Sequence, residues 1–228
     1  HALAEHLSAS PLLERLWVCP GNAGMALRGL DCVADDSADA VLAFCRQNAV
    51  HIVVPGPEAY MVTDLKARLQ EAGVYCFAPT PHLAQLESSK RFAKTLLREA
   101  GLPTARAETI ADLASGRRAL AAHDFSQGGI VLKVDGLAAG KGVAVCPDRT
   151  HAEQALQELA TAHGFPMLFE EELTGPELSA FALCAGDAFR LLGTACDYKR
   201  IRPDPYSANT GGMGAYSPCD FLDDGDRQ

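Results

Sequence analysis

Lys133 and Lys141 stand on either side of a stretch with almost no side chains, "VLKVDGLAAGKGVAV", residues 131–145. Gly136, Gly140 and Gly142 allow backbone N–H groups to approach a bound group closely, because glycine tolerates conformations that other residues resist. Two cations beside such a loop select an anion, and phosphate is the obvious candidate. The pattern is not a Walker A motif, which needs Gly-Lys-Ser/Thr opening a helix. Here Gly142 follows the lysine and the chain runs on into a β-branched strand. Nor does it match the G-x-G-x-x-G dinucleotide fingerprint. A strand–loop–strand hairpin folding over a triphosphate as a flap accounts for it.

Two further stretches carry chemistry. In "LFEEELTGPEL", residues 168–178, three adjacent glutamates follow an apolar strand. Neighbouring strand residues face opposite ways, so Glu170, Glu171 and Glu172 do not share one partner. One reading is a solvated strand end. The other is a hinge whose backbone reads an adenine edge, with Glu170 taking the exocyclic amine and Glu177 accepting from ribose hydroxyls. In "DYKRIRPDPYSANTGGMGAYSP", Asp197, Lys199, Arg200 and Arg202 crowd a strand end. Asn209, Thr210, Gly211, Gly212, Met213 and Gly214 can then present a row of amides as an anion nest.

The elements that must hold these residues follow from periodicity. Residues 1–16 carry leucines at helical spacing, Leu16–Cys19 reads as a strand, and "HIVVPGPEA" and "VYCFAP" as two more, with helices between them. Such alternation predicts βαβ units and a parallel sheet, with turns at Pro20–Gly24 and Pro55–Glu58 at strand carboxyl ends, where such sheets bind ligands. Turn formation alone also explains those glycines and prolines. A helix capped by Ser88 or Ser89 follows, with Lys90 in its first turn and Lys94 one turn on. An α+β region closes the chain: a helix over "ADLASGRRALAAH", the hairpin around the glycine loop, a helix over "HAEQALQELATAHG", and strands "PMLFEEEL", "LSAFALCAG" and "AFRLLGTACDYKRI".

Composition narrows the partners. A net charge of −9 over 228 residues disfavours a nucleic-acid or anionic-membrane surface, since both attract basic patches. The eight cysteines lack CxxC or zinc spacing, which predicts reduced thiols and a cytoplasmic protein. No apolar run approaches a membrane span. The chain opens without methionine and closes on "DDGDRQ", so a piece of a longer protein is expected.

Together "SSKRFAKTLLREAGLPTA", "VLKVDGLAAGKGVAV", "FEEELTGPELSAFAL", "DYKR" and "NTGGMGAYSP" resemble the phosphoribosylamine–glycine ligase family, with "HALAEHLSASPLLERLWVCPGNAG" and "VVPGPEA" resembling its N-terminal domain. The likeness covers essentially the whole chain. It implies a Rossmann-like pre-ATP-grasp parallel-sheet domain over 1–78, lacking its first strand. An ATP-grasp α+β domain over 79–228, incomplete at its C-terminus, follows, with a lid at about 122–188. It also implies ATP with Mg2+ or Mn2+, the metal ligands being expected beyond residue 228, and glycine and 5-phosphoribosylamine as substrates. By the same resemblance Lys90, Lys133, Gly140, Lys141 and Gly142 hold phosphates. Glu170, Glu171, Leu173 and Glu177 meet the nucleoside. Asp197, Lys199, Arg200 and the 209–214 loop face the substrates, as do Gly21, Asn22, Gly24, Gly56, Pro57 and Glu58. Lys133, Lys141 and Arg200 are the expected catalytic cations. The alternatives are another ATP-grasp ligase using a different acid, or a nucleotide-binding unit without catalysis.

Overall fold

The computed structural model describes residues 1–138, 141–203, 206–207, 209–219 and 221, and divides into two compact units, 1–84 and 85–228. Gly140 lies outside the described residues.

The first unit runs α1 (Ala2–Ser8), β1 (Trp17–Val18), α2 (Ala23–Leu27), β2 (Asp31–Cys32), α3 (Ala38–Gln47), β3 (Ile52–Val53), α4 (Leu65–Glu71) and β4 (Tyr75–Cys76). β1 pairs with β2 and β3 with β4, both in parallel. Ser37 starts α3 by accepting the Ala40 amide on its Oγ. Leu42 and Cys45 of α3 then pack with Leu65, Leu69, Val74 and Cys76 into one core. Two local features depart from the periodicity. α1 stops at Ser8, because Pro11 lacks an N–H and disfavours helix in the residue before it. β2 is too short and too exposed to leave an alternating pattern.

The second unit opens with α5 (Gln85–Ser88) and α6 (Lys90–Glu99), then β5 (Ala107–Ile110), α7 (Leu113–Ala122), β6 (Ile130–Val134), β7 (Val143–Cys146), α8 (Arg149–His163) and β8 (Met167–Glu171). These four strands form an antiparallel sheet in the order β5-β8-β6-β7. A second antiparallel sheet, order β11-β10-β9, follows from β9 (Ser179–Ala185), β10 (Ala188–Asp197) and β11 (Ala215–Tyr216). Asp112 and Ser115 close a capping box on α7, and Asp148 caps α8. Their apolar faces meet the sheet: Leu120, Ala152, Leu156 and Leu159 bury against Ile110, Ile130, Leu132, Val134 and Met167.

That packing decides which strand residues remain for chemistry. Ile130, Leu132 and Val134 alternate into the core, so Val131 and Lys133 point to the sheet's other face. Glu170 lies opposite Val131 and shares that face, diagonal to Lys133. None of the eight cysteines forms a disulfide, although the Cys196 and Cys219 sulfurs lie 2.8 Å apart. No helix among the described residues is long and apolar enough to cross a membrane.

Candidate functional site

Lys133 reaches Glu170 at 2.8 Å on the sheet face turned away from α7 and α8. Lys94, arriving from α6, stands 3.4 Å from the same carboxylate oxygen. The Glu170 side chain is 2% exposed, and two ammonium groups share it. A buried carboxylate persists as an anion only when so compensated. Glu170, the residue expected to take an exocyclic amine, is engaged here by these two ammonium groups. Lys94 is also fixed by Thr104 Oγ1 and the Ala105 carbonyl, each at 2.8 Å.

The stem of the glycine loop is pinned to the start of α6. Asp135 accepts from Ser89 Oγ at 3.1 Å, from the Arg91 amide at 3.2 Å and from Arg91 Nε at 2.8 Å. Ser89 also caps α6 by accepting the Phe92 amide, which resolves the choice between Ser88 and Ser89. Lys90, the first helical residue, donates to the Gly136 carbonyl at 2.8 Å. At the loop's far end the Val134 amide donates to the Gly142 carbonyl. A Cβ on Gly142 would come within 2.6 Å of the Ala138 Cβ, so the fold-back requires glycine there. Lys141 is exposed, its amide bonded to the Ala138 carbonyl.

Charges in this corner are shifted from their ordinary states. Burial lowers the Lys90 pKa; the Asp135 carboxylate opposes this and the Lys133 charge adds to it. Burial alone would raise the Asp135 pKa, yet the hydrogen bonds from Arg91 and Ser89 hold it below the usual carboxylate value. A depressed carboxyl stabilises the fold above its unfolded pKa, and that contribution is lost as pH falls through its folded pKa. Asp135→Asn is accordingly expected to cost about 1–3 kcal/mol in urea unfolding at pH 7. The deficit relative to wild type should narrow on acidification. A deficit constant from pH 7 down to pH 3 would contradict this assignment.

The remaining expected residues fall into three places. Glu171 binds the Arg106 amide and Nε at 2.7 and 2.6 Å, and Leu173, just past β8, is 70% exposed. Lys199 bridges Glu177 at 2.6 Å and Asp197 at 2.8 Å, joining the turn after β8 to the end of β10. Arg200 forms an isolated antiparallel bridge with Asn209. The 209–214 loop folds back on this segment, using amides expected for an anion nest. Thr210 N donates to Lys199 O, Met213 N to Tyr198 O, and Gly212 N to Thr210 Oγ1. In the first unit, Asn22 caps α2 through Met25 N, between Gly21 and Gly24, while Gly56 and Pro57 lead into a one-turn 3-10 helix that begins at Glu58.

Sequence reasoning gave little weight to Lys94 and none to Asp135, Arg91 and Arg106. Lys94 carried a signal: its position one turn after Lys90 on a strongly amphipathic helix. Asp135 carried one too, as an acid between a strand and a glycine. Arg106 carried none.

Residues 1–87 match the family described as phosphoribosylglycinamide synthetase, N domain, and residues 88–228 match phosphoribosylglycinamide synthetase, ATP-grasp (A) domain. A phosphoribosylamine–glycine ligase of Phenylobacterium zucineum is 43% identical over 224 residues, covering 96% of this chain and 52% of that protein. The chloroplastic phosphoribosylamine–glycine ligase of Arabidopsis thaliana is 39% identical, over 97% of this chain and 43% of its own length. The crystal structure of a phosphoribosylamine–glycine ligase from Thermotoga maritima superposes with a TM-score of 0.76 at 28% identity, covering 96% of this chain and 52% of that one. Campylobacter jejuni biotin carboxylase shares the fold, with a TM-score of 0.67 at 16% identity over 88% of this chain and 47% of that one. The chain spans about half the length of the curated relatives it matches.

Proposed function

Because the chain belongs to the phosphoribosylglycinamide synthetase family, we propose that it carries the nucleotide-gripping part of an ATP-dependent ligase that joins glycine to 5-phosphoribosylamine. The observation that carries this reading is the meeting of Lys90, Lys133 and the stem of the glycine loop at one end of β6. In this reading the glycine carboxylate attacks the γ-phosphorus of ATP, giving glycyl phosphate and ADP. The amine of phosphoribosylamine then displaces phosphate, giving glycinamide ribonucleotide. Phosphoryl transfer leaves the protein mainly positioning and charge neutralisation to supply, which suits a site of lysines and backbone amides.

Residue roles follow from position. Lys90 and Lys133 neutralise phosphate oxygens. Lys141 and Gly142 close over them and keep water from the acyl phosphate. The backbone at Glu171 and Leu173 reads the base, and Glu177 receives the ribose. In the second unit Asp197, Lys199, Arg200 and the 209–214 loop bind glycine and phosphoribosylamine; in the first unit Gly21, Asn22, Gly24, Gly56, Pro57 and Glu58 are phosphoribosylamine-binding residues. Residues 79–228 then form the ATP-grasp portion, with 122–188 as its lid and 1–78 as the preceding domain. Among the described residues no group of three or more His, Cys, Asp or Glu is placed to hold a divalent cation. A cytoplasmic setting suits eight thiols without disulfides, though the Arabidopsis relative is named chloroplastic.

The test is ADP release by the full-length protein from ATP, with glycine and phosphoribosylamine supplied singly and together. Release that requires glycine is expected. Release driven by a different acid, or nucleotide binding without release, would contradict the reading. Lys90 supplies an independent check. A phosphate beside it raises its lowered pKa, so binding of ADP takes up protons at alkaline pH, and affinity falls as pH rises through the free-state value. Calorimetry in two buffers of different ionisation enthalpy measures that uptake. Identical heats in both would remove Lys90 from the phosphate site.

A further inference from the structure

Two lysines share one buried carboxylate, and they are not equivalent. Lys133 is 31% exposed, and among the described residues Glu170 is the one side chain it pairs with. Lys94 is 12% exposed and is anchored by Thr104 and Ala105 besides Glu170. A single cation on a buried carboxylate is trapped, because its departure leaves an unpaired charge in a desolvated place. With a second cation fixed in position, the first can leave. The trio carries a net charge of +1, and its surplus sits on the more exposed lysine.

We propose that Lys94 is a positioning residue: it holds the countercharge of Glu170, so that Lys133 is free to turn from Glu170 to a phosphate oxygen. This rests on the reading of the sheet face as a phosphate site. Lys94 itself touches no nucleotide. Its effect on binding passes through Glu170 and Lys133, and the same arrangement explains why the buried acid tolerates the exchange. When a phosphate arrives, Lys133 swaps one anionic partner for another, and Glu170 keeps Lys94.

The test compares ADP affinity in wild type, Lys94→Met, Lys94→Arg and the double variant Lys94→Met/Glu170→Gln. It also measures the rate of Lys133 acetylation by an amine-specific reagent, read by mass spectrometry without nucleotide. Lys94→Met leaves Lys133 as the sole counterion. ADP affinity is expected to fall about tenfold, the order of one lost charge-assisted hydrogen bond, and Lys133 acetylation to slow. Lys94→Arg restores most of both. The double variant, with no buried charge left to compensate, recovers ADP affinity to within about threefold of wild type and acetylates fastest. If Lys94→Met does not fold, the double variant still decides. Affinity near wild type supports the proposal, whereas a loss of tenfold or more means that Lys94 meets the nucleotide itself and overturns it. Equal ADP affinity in wild type and Lys94→Met also overturns it, leaving the phosphate site standing. No ADP binding in wild type, with acetylation still slowed by Lys94→Met, would defeat the phosphate reading while the sharing of charge survives.

Discussion

Lys133→Ala is expected to lower kcat/KM for ADP formation by roughly 10²- to 10³-fold, the loss typical of removing one preorganised donor to a developing charge. The side chain projects from near the end of β6, an inner strand of the antiparallel sheet, on the face opposite the helices, so its truncation removes no core contact. Glu170 keeps Lys94 at 3.4 Å, and the buried carboxylate is not orphaned. The variant should therefore melt within a degree or two of wild type while failing in turnover. Steady-state kinetics beside a thermal melt measure both. Turnover within threefold of wild type would remove Lys133 from the phosphate site.

Glu170→Ala reverses that pattern. It withdraws the one carboxylate between Lys133 and Lys94 and leaves two like charges facing each other in a largely desolvated corner. Removing one partner of a buried ion pair costs on the order of 3–5 kcal/mol. The upper part of that range is tempered here because Lys133 is partly exposed and can turn outward. Urea unfolding should show the loss, and it should lessen as ionic strength rises and screens the repulsion. An unfolding midpoint unchanged from wild type would mean that the lysines do not depend on this acid.

What could be read from the chain alone divides along physical lines. The hairpin around the glycine loop was legible, because alternating burial on β6 and a loop of small residues both leave marks in sequence. So was the α/β alternation of the first unit, and parallel pairing is what the structure has. Strand β5 escaped, since Ala107–Ile110 is four residues long with two exposed members, and its place is fixed by pairing to β8, a partner 57 to 63 positions away. The surroundings of Glu170 were hidden for a related reason. Its neighbours Glu171 and Glu172 suggest a wet strand end, and only the register opposite Val131, with α6 bringing Lys94 across, shows it buried between cations. The 209–214 loop looked like open amides because glycine content signals flexibility, while the turns that use those amides are set by the bonds to Tyr198 and Lys199. Pattern reveals which residues can act; pairing across the chain determines what they act upon.

The most direct measurement is a crystal structure of the protein with ADP bound. Phosphate oxygens are expected within about 3 Å of the Lys90 and Lys133 ammonium groups, with Lys133 turned away from Glu170 and Lys94 still upon it. Diphosphate bound away from β6, or Lys133 still paired with Glu170 while the nucleotide is held by other residues, would contradict that placement.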